Sequence, residues 1–246
     1  MNTTILECIV GSTVHGTSVD DGLEDLDLMA IVVEDLPGRV GFAPKDTWVT
    51  RTKPQGVRSE AGDVDHVAYG LSKYLSLALK GNPTILLALF VPEHHVRHIM
   101  QQGRELRALA PLIVSKRAYA PFRGYMQQQF QRLMGTRGQK NCTRPELVEA
   151  YGFDTKYAGH ILRLGMQGAE LLCTGRITLP MPEEQRELVV KVRTGKYTLD
   201  EVAVYVEQAE QRLEAAMLKS TLREEPATAD VEAWMLRTYM NYWEKR

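Results

Sequence analysis

The sequence predicts an α/β (α+β) protein: a small mixed-sheet part over residues 1–92, then an all-helical part over residues 93–246. Three observations carry this. Ile5–Val10 and Leu28–Val33 are short, nearly continuous apolar runs, the pattern of strands buried under helices. From Leu71 the apolar spacing becomes helical, and long amphipathic segments such as Leu199–Lys219 and Asp230–Trp243 fill the rest. At 44% hydrophobic and 25% charged residues, a chain of this length can bury a real core.

Several function classes are excluded by composition. A formal net charge of -1 argues against a protein that coats nucleic acid through its overall charge, and leaves room for a local basic patch. The three cysteines, Cys8, Cys142 and Cys173, are far apart, so neither a zinc site nor a disulfide framework is expected. The amino terminus has no basic start before a short apolar run, and no apolar stretch is long enough to span a bilayer. The expectation is a soluble cytoplasmic protein without a membrane partner.

The first apolar run ends in Gly11-Ser12. A small residue lets backbone approach a phosphate, and a Ser hydroxyl with free N–H groups can hold its oxygens. An Asp-rich loop follows, and Asp25-Leu26-Asp27 opens the second run. Residues two apart on a strand share a face, so Asp25 and Asp27 project together. Two like charges so close are costly without a cation between them, and hard carboxylate oxygens suit Mg²⁺.

Gly11-Ser12, a turn with Gly16-Thr17, and Asp25-x-Asp27 on the next strand together resemble the signature of the DNA polymerase beta-like nucleotidyltransferases. The loop here is a couple of residues longer than the usual form, and Glu24 stands where a Ser often precedes the first Asp.

Residues 34–62 are rich in Pro, Gly, Lys and Arg and read as an irregular excursion with one short strand near Trp48–Thr50. Its bases Arg51, Lys53 and Arg58 read as a solvated face, with phosphate contact the alternative. Alternation through Gly62–Tyr69 predicts a third strand with Asp63 and Asp65 on one face. A third carboxylate is what two-metal phosphoryl transfer needs. Asp65, immediately before the apolar part of the run, fits best, and Asp63 is the alternative.

Leu71–Phe90 reads as two helices around a turn at Gly81-Asn82-Pro83. The string from Lys73 to Pro83, led into by an acid-bearing strand, resembles one branch of the superfamily, the "RNA repair pathway, DNA polymerase beta family" proteins and their bacteriophage relatives. The histidines of Glu93–His98 diverge and have no further ligand at zinc spacing, so no metal is expected there.

Between Lys116 and Arg144 there are seven Lys or Arg and no Asp or Glu, with Tyr119, Phe122, Tyr125 and Phe130 interleaved. Such a tract can bind nucleic-acid backbone and stack bases, or form an amphipathic helix with its aromatics in the core; both stay open. Gly135–Lys140 reads as a turn. Asp154 is a good N-cap and Gly175 a good stop for a helix about 30 Å long. Lys156, His160, Arg163, Gln167 and Glu170 fall on one side of it. The remaining sides are too apolar for a peripheral helix, so the stripe is expected to line a cleft where Lys, His and Arg reach a triphosphate. This stretch also resembles the same family branch.

The resemblance implies nucleotidyl transfer from an NTP such as ATP to an acceptor hydroxyl, with RNA or tRNA the leading acceptor. A protein or small molecule, a toxin–antitoxin setting, or a non-catalytic nucleotide-binding module are the alternatives. By the same resemblance Asp25, Asp27 and Asp65 are catalytic and hold two Mg²⁺ ions, or Mn²⁺ in their place. Gly11, Ser12 and Gly16, with Lys156, His160 and Arg163, bind the nucleotide.

Overall fold

The computed structural model describes residues 2–19, 26–40, 45–53, 62–135 and 144–244. Among these, five strands form one mixed sheet: β1 (Thr3–Ile9), β2 (Leu26–Val33), β3 (Thr47–Arg51), β4 (Val64–Gly70) and β5 (Val96–Ile99), in the order β3-β4-β2-β1-β5. The β2–β4 pair is parallel and the other three pairs are antiparallel. The short helix α1 (Gly11–His15) follows β1, and α2 (Leu36–Val40) follows β2. After β4 come α3 (Leu71–Leu79) and α4 (Pro83–Leu86), and after β5 come α5 (Gln101–Ala108), α6 (Ala110–Ile113) and α7 (Tyr119–Leu133). The chain ends in α8 (Pro145–Tyr151), α9 (Thr155–Thr174), α10 (Glu183–Arg193), α11 (Leu199–Lys219) and α12 (Thr228–Glu244).

The β1–β2 register pairs Leu6 with Ile31 and Cys8 with Met29, so these four side chains share one sheet face. That face packs into the main core with Leu71, Tyr74, Leu75 and Leu86, which is continuous with residues of the carboxy-terminal helices such as Ile161 and Leu213. The opposite face carries a small cluster, Ala30, Val32 and Ala68, against Trp48.

The helical part is arranged around α9. Its buried side includes Ile161, Leu164, Leu171 and Leu172. Gly165 and Gly168 leave room for Met126 and Phe122 of α7 and for Ala209 and Leu213 of α11, so three helices approach closely.

The structure departs from the sequence-based expectations in three places and decides between two readings at a fourth. The sheet continues beyond residue 92: β5 lies in the part expected to be all helical and pairs with β1, with His98 Nε2 3.1 Å from Thr4 O. An edge strand this short has no alternation long enough to read. The second predicted helix is one α-turn, capped by Asn82 through Thr84 N and Ile85 N, followed by a 3₁₀ turn over Leu87–Leu89. The excursion over 34–62 contains α2 as well as β3. In the basic tract, Phe122 and Met126 are buried and Tyr119 and Phe130 pack at the core's margin, so α7 is an amphipathic helix. Three of the tract's charges face acids: Lys116 Nζ to Glu224 at 2.6 Å, Arg117 Nη1 to Glu225 at 3.1 Å, and Arg123 Nε of α7 to Glu210 at 3.1 Å. Arg58 and positions 136–140 of the expected turn lie outside the described residues.

Candidate active site

The site forms where β1 gives way to α1. The Val10 N–H donates to Asp27 O at 2.9 Å, a β1–β2 contact beyond the last paired residues, Ile9 and Leu28. The chain then turns at Gly11, with φ +73°. A Cβ at Gly11 would overlap the Asp27 carboxylate, so Gly is needed both for the backbone and for the space. Asp27 lies on the same strand face as Met29 and Ile31, the helix-covered one.

Asp65 is the in-register neighbour of Asp27 on the parallel strand β4. In-register residues on adjacent strands point to one face about 4.8 Å apart, which sets the two carboxylates side by side. Arg51 Nε lies 3.5 Å from Asp65. Asp63 is engaged elsewhere: Lys53 Nζ is at 3.1 Å and Thr52 Oγ1 donates to it at 2.8 Å. Asp25 lies outside the described residues. Among the described residues no group of three or more His, Cys, Asp and Glu gathers as a metal site. Asp27, which lines the adjoining cavity, and Asp65 beside it offer hard carboxylate oxygens, a donor type that suits Mg²⁺.

A cavity of about 200 Å³ joins this floor to the helical part. Gly11, Ser12, Thr17 and Asp27 line one part, and Lys156, Tyr157, His160 and Arg163 of α9 line another. Val189 and Arg193 of α10 and Arg144 complete it. Gly159 is what lets Arg193 in, since a Cβ there would meet the Arg193 side chain at 2.7 Å. Five of the six residues expected to bind nucleotide, Gly11, Ser12, Lys156, His160 and Arg163, therefore meet in one cavity with Asp27, expected as a metal ligand. Gly16 is one step removed. It ends α1 in the left-handed conformation, its N–H donates to Thr13 O at 3.1 Å, and its other side packs on Pro180 and Arg186.

The electrostatics are lopsided. Arg144, Lys156, Arg163 and Arg193 bring four formal positive charges to the lining, against the single described carboxylate, Asp27. Arg144 is partly matched, donating to Asp154 at 3.2 Å and lying 5.3 Å over the Tyr157 ring. Burial, and then the nearby Arg193, pull Arg163 down to about 10. Burial, then Arg163 and Arg144, pull His160 down to about 3. Crowded, desolvated cations of this kind are relieved by an anionic ligand.

Sequence reasoning missed His15, Arg144, Tyr157 and Arg193. His15 is buried, with Nε2 2.6 Å from Arg163 Nη1 and Nδ1 3.1 Å from Gln167 Nε2. Burial, then Arg163 and His160, hold its pKa well below the ordinary histidine value. Arg193 Nη1 donates to the Thr17 carbonyl, and Thr155 Oγ1 donates to Arg193 O at 3.0 Å. No spacing rule links His15, Arg144 or Arg193 to the polar stripe of α9.

The sequence matches the RNA repair pathway DNA polymerase beta family over residues 2–237. The chain belongs to this family. The match spans the sheet, α9 and most of α12, so both parts of the cavity fall within it. The family points to nucleotidyl transfer. No curated protein matches the sequence. A nucleotidyltransferase-like protein from Exiguobacterium sibiricum 255-15 is a similar solved structure at 13% identity and a TM-score of 0.32, covering 87% of this chain and 69% of that one. Among the described residues no helix is long and apolar enough to cross a membrane.

Proposed function

We propose that the protein is a metal-dependent nucleotidyltransferase that moves an NMP from an NTP to an acceptor hydroxyl and releases pyrophosphate. The observation that carries this reading is the single cavity in which Asp27 and Gly11-Ser12 face the cations of α9 and α10. The RNA acceptor is supported by the family's description. The paired charges of the basic tract, Lys116, Arg117 and Arg123, add nothing to that support, so a protein or small-molecule acceptor is the competing outcome of the test.

Asp27 and Asp65, joined by Asp25, would hold Mg²⁺. The chemistry that such ions supply when bound is neutralisation of phosphoryl charge and a more acidic acceptor hydroxyl. The chain's own residues do the rest by positioning and electrostatics. Ser12 and the backbone at Gly11, with Lys156 and Arg163, bind the β- and γ-phosphates. Arg193 adds charge on the leaving side. His160, neutral in the fold, donates an N–H. The acceptor oxygen forms its bond to the α-phosphorus as the bond to the β-phosphate bridging oxygen breaks. The hydroxyl proton passes to a carboxylate oxygen of Asp65, and the leaving pyrophosphate stays among the cations until release.

Purified protein, Mg²⁺, each α-labelled NTP and total RNA make the test, beside Asp27→Ala and a sample without RNA. Label on RNA that is lost in the variant establishes the activity and names the base. Label on protein or a small molecule keeps the enzyme and replaces the acceptor. Bound NTP with no transfer to any acceptor favours the binding-module reading.

A further inference from the structure

Arg163 is held differently from the ion-paired guanidiniums of the molecule. Arg107 rests on Glu93, Arg123 on Glu210 and Arg144 on Asp154. Arg163 has no carboxylate partner among the described residues. An uncharged group grips it instead: His15 Nε2, at 2.6 Å, accepts from Nη1, which leaves the ring proton on Nδ1, beside the Gln167 amide at 3.1 Å.

A carboxylate would hold the guanidinium equally firmly and would cancel the charge that an anion needs. A neutral acceptor fixes the geometry and leaves the charge in place. An Arg side chain has about 2 kcal/mol of rotamer entropy to lose, and losing it before the ligand arrives tightens binding. His15 suits this part because it is buried in α1, immediately after the Gly11-Ser12 turn, and its own carbonyl takes the Met181 N–H at 3.1 Å. The ring thus ties the two sides of the cavity together.

We propose that His15 is a positioning residue that, through a hydrogen bond to Nε2, aims the Arg163 charge at a polyphosphate. The proposal rests on the reading of the cavity as a triphosphate site.

The test uses inorganic tripolyphosphate as the probe, titrated calorimetrically into the full chain without added metal. His15→Leu removes the acceptor. His15→Asn keeps a polar side chain too short to reach Arg163. His15→Gln returns an acceptor near the Nε2 position. Thermal melts run alongside, and the Asn variant carries the comparison if the Leu variant does not fold. The expected result is a Kd raised about tenfold in the Leu and Asn variants and restored to within about threefold by Gln. On an Arg163→Gln background the His15 substitutions should add nothing.

Wild-type-like binding by the folded Asn variant overturns the positioning role alone. So does a His15 effect that persists in full without Arg163. A wild-type protein that binds no tripolyphosphate overturns the triphosphate reading, and the positioning role with it.

Discussion

Gly11 is the position where backbone and site chemistry constrain each other most tightly. Its positive φ and the Asp27 carboxylate in the space of a Cβ are two separate obstacles to any side chain. Gly11→Ala should cost about 1–3 kcal/mol of stability through backbone strain and should also displace Asp27. The expected outcome is a lower Tm together with at least about tenfold slower nucleotidyl transfer, a factor that about 1.4 kcal/mol of barrier produces. An Ala variant with full turnover would contradict the contact. His160 makes a second prediction at this scale. Its ring is pulled from 6.5 down to about 3, so between those values the unfolded chain binds a proton that the folded chain refuses. Stability is therefore complete above about pH 6.5 and is lost as pH falls towards 3, at up to about 1.4 kcal/mol per pH unit. His15, shifted the same way, adds to the loss. Urea unfolding from pH 7 to pH 5 measures the slope, and His160→Gln should flatten it. Asp27 and the Gly-Ser turn were legible in the sequence because a strand start and a small-residue turn are local signals. His15 was not, because its partners Arg163 and Gln167 are 148 and 152 residues away.

At the scale of elements, α9 shows what local signals can and cannot carry. Both of its ends were readable. Asp154 accepts from Lys156 N at 3.1 Å and Tyr157 N at 3.0 Å, and Gly175 stops the helix in the left-handed conformation. Caps act within three residues of themselves, so a sequence displays them. The readable polar stripe also reaches the cavity at Lys156, His160 and Arg163. The neighbour that completes that wall, Arg193 of α10, depends on the room left by Gly159, which becomes visible only once two helices are packed together. Strand β5 escaped notice for a related reason: four residues on a sheet edge carry little pattern. Because Asp154 caps the helix and also pairs with Arg144, its loss has two effects. Asp154→Ala should destabilise the protein by about 1–2 kcal/mol and fray the turn that presents Lys156 and Tyr157. Asp154→Asn, which keeps the cap, should recover most of the stability. Urea unfolding of the two variants checks this, and equal losses in both would assign the effect to the ion pair.

At the scale of the molecule, the question is what couples the sheet to the carboxy-terminal helices far from the cavity. Glu34, just past the end of β2, is buried. Its Oε2 accepts from Leu71 N at 3.1 Å, at the start of α3, and from the Tyr239 hydroxyl of α12 at 2.6 Å. The same hydroxyl oxygen accepts from Ser72 N at 3.2 Å, and Trp243 Nε1 donates to Glu34 O at 3.0 Å. Gly70 is small because the Glu34 carboxylate occupies the place of its side chain. Burial, and then the bond to Glu34, raise the Tyr239 phenol far above its ordinary value, so it is a donor at neutral pH. A buried carboxylate that loses a charge-assisted hydrogen bond costs about 1.5–3 kcal/mol, and Tyr239→Phe removes that bond with little change of volume. The variant should unfold at lower urea while binding tripolyphosphate with unchanged Kd, since the contact sits at the end of β2 opposite Asp27. Loss of binding in a variant that remains folded would show that α12 communicates with the cavity through β2, and that the two ends of the sheet do not act independently.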